Sequence, residues 1–461
     1  MTSSEERISK TKYRIIGSFS EYLHQGSIPV SWLLDGIFVD PRNSKPMEMD
    51  ALSIYNICKL ESTVKTQVFK HPLLNRIRQV GGFRFHNAWG LCETHCRFSA
   101  AGLKLLAETI DTDDNSEISL FENGINSHLE YADKLSKGIW FLHDSQEADN
   151  DYHDYYLPNE HFGSKPNNIL VLNTHIDTLC LLISLLDKPF FLSLTESTKK
   201  RINFFVNEGI KSLKEITDLS INPLIEQADQ LILHIAFKHL NNNHLIERLI
   251  NIYFYRIRIH IKKKYPIFFH KNGYIEREIG LAGTGFYYHI ITLNDICKLT
   301  INLLGKSQYS MLIENLKQKI EKGINFAIRN RSFLNYMKKY HREKLVELLE
   351  TIQMSMCLSA ANFDERLFFY CKLRKNLTPS AGLKGSDLTY NRLINYHPEL
   401  TKRLIEQPID GFCTRPDEVY LINYSNEQKV ITYHATEIKL TPNSYSVLDF
   451  KKKHTNEYFI L

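Results

Sequence analysis

The sequence predicts a mainly α-helical protein, an α/α toroid built from helical hairpins, with a small antiparallel β unit at its C-terminal end. Amphipathic stretches of about 15 to 20 residues recur through the central region. Proline is nearly absent between Pro223 and Pro379, with Pro266 as the exception. Short β-branched and aromatic runs separated by turn residues begin only after about residue 410.

Three segments are predicted along the chain: a mixed N-terminal segment at 1–80, the helical toroid domain at 81–405, and the β unit at 410–461. A helix follows the glycine-bracketed GGFRFHNAWG, and a second helical stretch continues to about His143. Further helices are predicted over 167–187, Leu194–Ile216, Pro223–Asn241, His244–Lys264, Tyr287–Leu304, Ser310–Ile328 and Lys338–Leu358. The runs EVYLINYS and KVITYHAT, joined by a polar turn, predict a β-hairpin.

Composition excludes several classes of protein. The 461 residues carry a formal charge of only +5, which argues against a nucleic-acid partner. No run reaches the ~18 uninterrupted apolar residues of a membrane span, and the charged N-terminus lacks the apolar core of a signal peptide. Eight cysteines without a secretory context predict reduced thiols. We therefore expect a soluble, cytoplasmic protein without a cofactor or metal. Export by a dedicated machine and the oligomeric state stay open.

One apolar stretch, NNILVLNTHIDTLCLLISLLD at 167–187, contains polar residues where a core helix would carry leucine. Burying an ionisable side chain without partners costs several kcal/mol, so His175 and Asp177 are either paired or functional. Asn173 stands near them at the predicted helix start. The two hypotheses are a hydrogen-bonded core histidine and a catalytic or ligand-binding one.

A second set of polar residues follows the apolar run GIWFLHD. His143 and Asp144 open the acidic loop LHDSQEADNDYHDYY, which predicts either a general acid or cation site, or a solvated loop. The nearby CETHC, Cys92 to Cys96, lacks the second ligand pair of a zinc site. A structural role is the simpler interpretation of that motif.

The third set lies in NGYIEREIGLAGTGFYYHIITLNDICKL, 272–299. GLAGTG is not a phosphate-binding loop, because no Gly-Lys-Ser/Thr follows it. We expect a tight turn that brings Arg277 to the same cavity as Tyr287, Tyr288 and His289. Arginine holds a carboxylate through two hydrogen bonds, and tyrosine can transfer a proton.

The order of these motifs resembles the C-terminal region of the D-glucuronyl C5-epimerase family. The likeness covers 167–299 and consists of LNTHIDTLCLLISLLD, then REIGLAGTGFYYHIITLNDICKL, then a short β tail. The matching residues are Asn173, Arg277, Tyr288 and His289. The resemblance implies an α/α toroid and an acidic, uronic-acid-containing oligo- or polysaccharide as substrate.

The resemblance also implies roles for individual residues. Arg277 and Arg84 would hold the carboxylate, while Tyr288 with His289 or His175 would exchange the C5 proton. The aromatic residues expected to stack on sugar rings are Trp89, Trp140, Phe85 and Tyr287. A glycoside hydrolase or lyase is a close alternative, with Asp144 and Asp177 as the two acids of a hydrolase.

A non-catalytic protein is the competing class. A helical scaffold or effector would use His175, Asp177 and Arg277 as a polar network that fixes helix packing. The basic runs RIRIHIKKKY and KKYHREK predict solvated helix faces, with binding of an anionic partner as the alternative.

Overall fold

The chain is mainly α-helical, with small antiparallel sheets toward its C-terminal end, so this coarser part of the fold prediction is confirmed. A computed structural model describes residues 92–148, 163–165, 167–219, 222–239, 244–279, 285–342, 344–359, 362–376, 396–405, 407–415, 417–433, 436–449 and 454–458, with short pieces before residue 92. Among those pieces, β1 (Leu33–Leu34) pairs with β2 (Ile37–Phe38), and β3 (Phe85–His86) pairs with β4 (Cys92–Glu93).

Helices follow one another through the described central region. They are α1 (Cys96–Thr109), α2 (Asn115–His128), α3 (Leu172–Leu186), α4 (Glu196–Thr217), α5 (Pro223–His239), α6 (His244–Ile252), α7 (Arg258–Lys264), α8 (Tyr288–Leu303), α9 (Ser310–Arg329), α10 (Arg331–Tyr340), α11 (Lys344–Leu358), α12 (Phe363–Lys375) and α13 (Pro398–Ile405). A π-helical turn, Tyr253–Ile257, joins α6 to α7. Side-chain caps start several helices; Asp114 caps α2, Thr195 caps α4 and Asn330 caps α10.

The helices pack as a row of hairpins. One row of helices consists of α1, α3, α8 and α11, which contact one another in that order. Each of them also packs on the helix that follows it in the chain, which gives the pairs α1–α2, α3–α4, α8–α9 and α11–α12. Helix α3 is buried on all sides except at Ser184 and Leu186, whereas α4 and α9 are amphipathic. A helix that is buried on nearly all sides belongs in the interior, so α3 and its neighbour α8 form the inner layer.

The segment between α2 and α3 corrects one prediction. The helical stretch expected up to His143 ends at His128, and a hairpin of β5 (Ala132–Lys134) and β6 (Ile139–Phe141) follows. Gly138 allows this turn because its φ is +95°. A Cβ atom at Gly138 would lie 2.2 Å from the carbonyl oxygen of Glu208, so only glycine lets the hairpin approach α4.

The C-terminal β unit is present, but its pairing differs from the prediction. Its strands are β7 (Ile409–Arg415), β8 (Glu418–Asn423), β9 (Lys429–Tyr433), β10 (Thr436–Leu440), β11 (Ser444–Asp449) and β12 (His454–Tyr458). The expected β8–β9 hairpin is wrong, since β8 lies between β7 and β11 while β9 pairs with β10. Strand β8 is buried along nearly its whole length, as a central strand is, whereas β9 alternates between buried and exposed residues.

Two further expectations concern the chain as a whole. Among the described residues, none of the helices is both long and apolar enough to cross a bilayer. No disulfide joins the cysteines that the structure describes, in agreement with the prediction of reduced thiols. The three predicted domain boundaries stay predictions.

Candidate functional site

His143, Thr174 and Arg277 meet where α1, α3 and α8 begin. His143 Nε2 lies 3.0 Å from Arg277 Nη2, and His143 Nδ1 lies 2.8 Å from Thr174 Oγ1. A guanidinium group only donates hydrogen bonds, so Nε2 must accept from Arg277. The proton of the neutral ring is therefore on Nδ1, which donates it to Thr174. This places one basic lone pair, on His143 Nε2, directly against a cation.

Backbone hydrogen bonds hold His143 and Arg277 in equivalent positions. The carbonyl oxygen of His143 accepts from the N–H of Cys96 at 2.9 Å, and that of Arg277 accepts from the N–H of Leu172 at 2.8 Å. Cys96 and Leu172 are the first residues of α1 and α3, whose N–H groups lack partners within their own helices. Each carbonyl oxygen thus accepts a hydrogen bond from the otherwise unpaired N–H group at a helix start. The bond holds His143 beside the start of α1 and Arg277 beside the start of α3.

Arg277 also contacts Tyr288, the first residue of α8. The Cζ atom of Arg277 lies 4.4 Å from the centre of the Tyr288 ring, and the Tyr287 ring stacks on Tyr288 at 4.4 Å. Arg277 Nη1 lies 3.0 Å from a carboxylate oxygen of Glu278. The Arg277 side chain is 19% exposed, and its Nε has no hydrogen-bond partner in the described part of the chain. An oriented and partly exposed cation is suited to an anionic ligand, while its unpaired Nε is itself buried.

His95 adds a second neutral imidazole. Its ring lies edge-on to that of His143, with 4.3 Å between the ring centres. Burial, together with the charges of Arg277 and Arg97, lowers the pKa of His95 to about 3. Burial and the neighbouring His95 and Arg277 also hold the pKa of His143 well below its ordinary value. Both rings are neutral near pH 7 and keep a nitrogen lone pair, while the lowered pKa makes each a weaker base than a free imidazole.

A group of four largely buried charged residues joins the inner helices beside these histidines. Arg97 Nε on α1 lies 2.6 Å from Asp177 Oδ2 on α3, and Arg97 Nη2 lies 3.0 Å from Asp295 Oδ2 on α8. Lys104 Nζ is 3.7 Å from the other oxygen of Asp177. Burial alone would raise the pKa of Asp177, but Arg97 and Lys104 outweigh it and the pKa lies below the ordinary value. Asp177, which the sequence offered as a catalytic acid, is thus bound in an ion pair between helices.

Asp295 provides a test of this charge group. Burial raises the pKa of Asp295 to about 7, with Asp177 adding to the rise and Arg97 opposing it. The folded protein therefore keeps a proton that the unfolded chain loses near pH 4, and stability falls as pH rises through this window. Asp295→Asn removes this titration. We therefore expect the free energy of unfolding of the variant, relative to that of the wild type, to rise by on the order of 2 kcal/mol as the pH increases from ~4.5 to ~6.5. Urea unfolding across that range measures the difference.

The matched control for this test is Asp364→Asn, at an exposed aspartate in the first turn of α12. Its stability relative to the wild type should not vary over the same pH window. A difference between Asp295→Asn and the wild type that stays constant with pH would show that Asp295 is ionised throughout.

Asp144 shapes the loop that carries His143. Its Oδ1 accepts from the backbone N–H groups of Gln146 at 2.9 Å and Glu147 at 3.1 Å. Glu147 in turn accepts from the N–H of His143 at 2.7 Å. Burial and the nearby Asp144 raise the pKa of Glu147 well above its ordinary value. Both acids are buried and engaged with backbone, which suits positioning of His143.

His175 lies apart from this group, in the core. Its Nδ1 accepts from the N–H of Phe141 at 3.1 Å, and its Nε2 donates to the carbonyl of Gly209 at 3.0 Å. Trp140 stacks on the ring with 4.0 Å between centres, and both side chains are fully buried. Burial lowers the pKa of His175 to about 3. The ring has no nitrogen left to exchange a proton, and Trp140 has no face left for a sugar.

His289 repeats this arrangement. Its Nδ1 accepts from the N–H of Ile275 at 3.0 Å, and its Nε2 donates to the carbonyl of Gly323 at 3.3 Å. Each histidine is bonded to a glycine 34 positions further along the chain. Burial lowers the pKa of His289 to about 3 as well. Both histidines have the geometry of structural residues that link an inner helix to its outer partner.

The other predicted residues divide into two sets. Arg84 and Trp89 lie outside the described residues, as do the side chain of Phe85 and those of Cys92 and Glu93. Asn173 is buried in the first turn of α3, and its Oδ1 has no hydrogen-bond partner in the described part of the chain. The structure therefore brings together His143, Arg277, Tyr287 and Tyr288, with Asp144 and Asp177 beside them.

Four residues that lie with these side chains were not among the predicted site residues: His95, Arg97, Thr174 and Asp295. Arg97 and Asp295 interrupt apolar helical patterns in the same way as Asp177 does, and this was the available signal. Thr174 carries no such signal, because threonine is tolerated in a buried helix. We call His95, Arg97, His143, Thr174, Asp177, Arg277, Tyr287, Tyr288 and Asp295 the central polar cluster.

A separate buried cluster has the composition of a metal site. Asp229, His270 and Glu276 place one ligand atom each within 4.8 Å of one another. Arg258 already bonds both carboxylates: its Nε lies 2.6 Å from Asp229 Oδ1, and its Nη2 contacts Glu276. Lys262 is a second cation in this cluster, and its Nζ lies 3.4 Å from Glu276 Oε2. Two cations balance the two acids, so the cluster fits an internal ion network better than a metal site.

Comparison of the chain with models of protein families, with curated proteins and with solved structures finds no match.

Proposed function

We propose that this protein is an enzyme that acts on an acidic, uronic-acid-containing glycan and moves the proton on the carbon next to the carboxylate. The observation that carries this proposal is the contact of one guanidinium, that of Arg277, with both His143 and Tyr288. Such a reaction needs a cation for the carboxylate and proton-transfer groups beside it. The central polar cluster contains both in direct contact.

The geometry supports a specific sequence of steps. The substrate carboxylate binds Arg277 and accepts the hydrogen bond from Nη2 that His143 Nε2 accepts in the free protein. The freed lone pair on Nε2 removes the proton from C5, and the carbon–hydrogen electrons move into an enolate that Arg277 stabilises. The Tyr288 hydroxyl delivers a proton to the opposite face, which inverts C5. The proton on His143 then returns to Tyr288 through solvent.

A lyase uses the same first half of this reaction. After the base removes the C5 proton, the electrons expel the oxygen substituent at C4 and form a double bond, and Tyr288 protonates the leaving oxygen. A hydrolase is less well supported, because Asp144 accepts from two backbone N–H groups and Asp177 is paired with Arg97. Both acids are therefore already engaged.

The packing of the helices supports the proposed α/α toroid. Inner and outer helices alternate, and the inner helices bring their first turns to one end, where the central polar cluster lies. The resemblance of 167–299 to the glucuronyl epimerase family agrees with this architecture and with a carboxylated sugar as substrate. A cytoplasmic location is part of the proposal.

The test is exchange of solvent deuterium into acidic oligosaccharides. We expect the wild type to incorporate deuterium at C5, and Tyr288→Phe and His143→Asn each to lower the rate by about 100-fold or more, the usual effect of losing an acid or base. Tyr309→Phe is the matched control. Tyr309 lies in the turn after α8, outside the central polar cluster, and its hydroxyl donates a hydrogen bond to Asn207 on α4. It should retain the wild-type rate.

Two results would contradict the proposal. If no uronic-acid glycan exchanges deuterium or forms an unsaturated product, the cluster acts as the internal network of a non-catalytic scaffold or effector. If exchange occurs but survives both substitutions, the chemistry takes place elsewhere in the protein.

A further inference from the structure

Helices α5 and α6 and the π-helical turn expose large aliphatic side chains. Leu224, Leu231 and Ile235 follow one face of α5 and are 74%, 62% and 38% exposed. Leu249, Ile252 and Ile257 continue along α6 and the turn and are 59%, 43% and 50% exposed. Isolated exposed aliphatic residues are ordinary, but three leucines and three isoleucines on consecutive helices, beside the exposed Leu245 and Tyr255, form an unusual surface. We call these six residues with Lys238, Arg248, Arg256 and Lys264 the α5–α7 surface.

The exposed charge on this surface is cationic. Between Pro223 and Tyr265 the acidic residues are Glu226, Asp229 and Glu247. Glu226 and Asp229 are buried, and Asp229 is bonded to Arg258. The four basic residues of the surface are exposed. Because two of the three acids are buried while the four basic residues are exposed, the surface complements a negatively charged partner.

The two arginines of the α5–α7 surface line the same open groove. A groove of about 390 Å³ along α6 is lined by Arg248, Ile252 and Arg256, with Glu247 also at its wall. Neither arginine has an ion-pair partner in the part of the chain that the structure describes. Paired guanidinium groups beside aliphatic side chains suit a phosphate attached to an apolar tail.

We propose that the α5–α7 surface binds the surface of an anionic phospholipid membrane, with α5 and α6 lying in the plane of the headgroups. Helices whose exposed aliphatic residues are bordered by lysine and arginine bind the headgroup boundary without crossing the bilayer. The exposed apolar residues that carry the proposal are mainly leucine and isoleucine, with Tyr255, 49% exposed, as the aromatic residue of the groove. Leucine is under-represented among the residues that dominate protein–protein binding. These features favour a lipid over a protein partner.

The inner face of the same segment ties this surface to the central polar cluster. Arg258 bonds Glu276, and Lys262 Nζ bonds the carbonyl oxygen of Glu278. These residues flank Arg277 in the chain. Membrane binding would therefore hold the cluster at a fixed position relative to the bilayer. The proposal rests on the exposed surface and does not depend on the proposed reaction.

The test is sedimentation of the full chain with lipid vesicles. We expect binding to vesicles of equal parts phosphatidylcholine and phosphatidylserine, little binding to phosphatidylcholine alone, and weakening of the binding by added salt. Leu231→Gln with Leu249→Gln, and separately Arg248→Gln with Arg256→Gln, should each weaken binding by more than about tenfold. Gln keeps helix propensity and removes the apolar or charged group.

The matched control is Met311→Gln, at a side chain that is 75% exposed on α9. It should bind vesicles as the wild type does. The proposal is overturned if the protein binds neither vesicle, binds both equally, or binds anionic vesicles unchanged after either pair of substitutions. It is also overturned if ultracentrifugation without lipid shows a dimer that the leucine substitutions dissociate, because the surface then binds a second copy.

Discussion

Replacing Arg258 by methionine should lower the free energy of unfolding by roughly 3–5 kcal/mol, the usual cost of removing one partner from a buried ion pair. Arg258 is 1% exposed and bonds Asp229 on α5 and Glu276 in the segment before α8. Without it, the two buried carboxylates keep Lys262, His270 and the Tyr253 hydroxyl as partners, and one arginine charge is lost from the network. Methionine fills a similar volume, so the loss measures the missing charge. Urea unfolding at pH 7.5, reported as midpoint and slope, checks the expectation.

Arg256→Met is the matched control, two residues earlier and exposed in the π-helical turn. It should change stability by less than about 0.5 kcal/mol, as surface substitutions do. The loss in Arg258→Met should shrink at pH 5, because the unpaired carboxylates can then take up protons. Equal stability of the two variants would show that the ion network adds nothing to the fold.

The helices were largely predictable because their local patterns are strong. Helix α9 was predicted over Ser310–Ile328 and observed over Ser310–Arg329, and α5 was predicted from Pro223, where it begins. Proline at the first helical position and amphipathic spacing are signals carried by neighbouring residues. The pairing of β8 with β11 was not predictable in this way, since it depends on which strand can be buried on both sides.

The composition of the central polar cluster was only partly predictable. Asp177 was indicated by its place in an apolar helix, His143 by the apolar run before it and Arg277 by the glycine-rich turn after it, but their partners come from distant positions. His143 and Arg277 are separated by 134 positions, and Arg97 and Asp295 by 198. No local pattern encodes such pairs, because the packing of whole helices brings them together. The sequence indicated which residues need partners, and only the fold shows who the partners are.

An internal repeat explains why two of the predicted catalytic histidines have a structural geometry. The pentapeptides HIDTL and HIITL begin at His175 and His289, and both histidines bond an outer-helix glycine in the same way. Gly138 and Gly273 repeat as well, with φ of +95° and +97° in the segments that precede α3 and α8. The repeated unit uses its histidine for structure. His143 and Arg277, which stand at equivalent helix starts, instead differ in side chain, one a neutral imidazole and the other a cation.

Replacing both His175 and His289 by phenylalanine should therefore destabilise the protein at neutral pH and make it less sensitive to acid. Phenylalanine keeps the ring but leaves the buried N–H groups of Phe141 and Ile275 without acceptors, at a cost of about 1–3 kcal/mol each. Because the two sites lie in separate hairpins, the losses should add to roughly 4–6 kcal/mol once the weakened packing is included.

The acid response gives these two histidines a distinct signature. Each has a folded pKa of about 3, lowered by burial, whereas the unfolded ring titrates near 6.5. The unfolded state binds more protons below pH 6.5, so the wild type loses about 2 kcal/mol per histidine between pH 6.5 and 5. The double variant lacks this loss, and its deficit relative to the wild type should shrink by about 4 kcal/mol over the same range. The control is His260→Gln, at an exposed histidine on α7, which should match the stability of the wild type at both pH values. If the deficit of the double variant stays constant with pH, the two buried rings are already protonated in the folded protein.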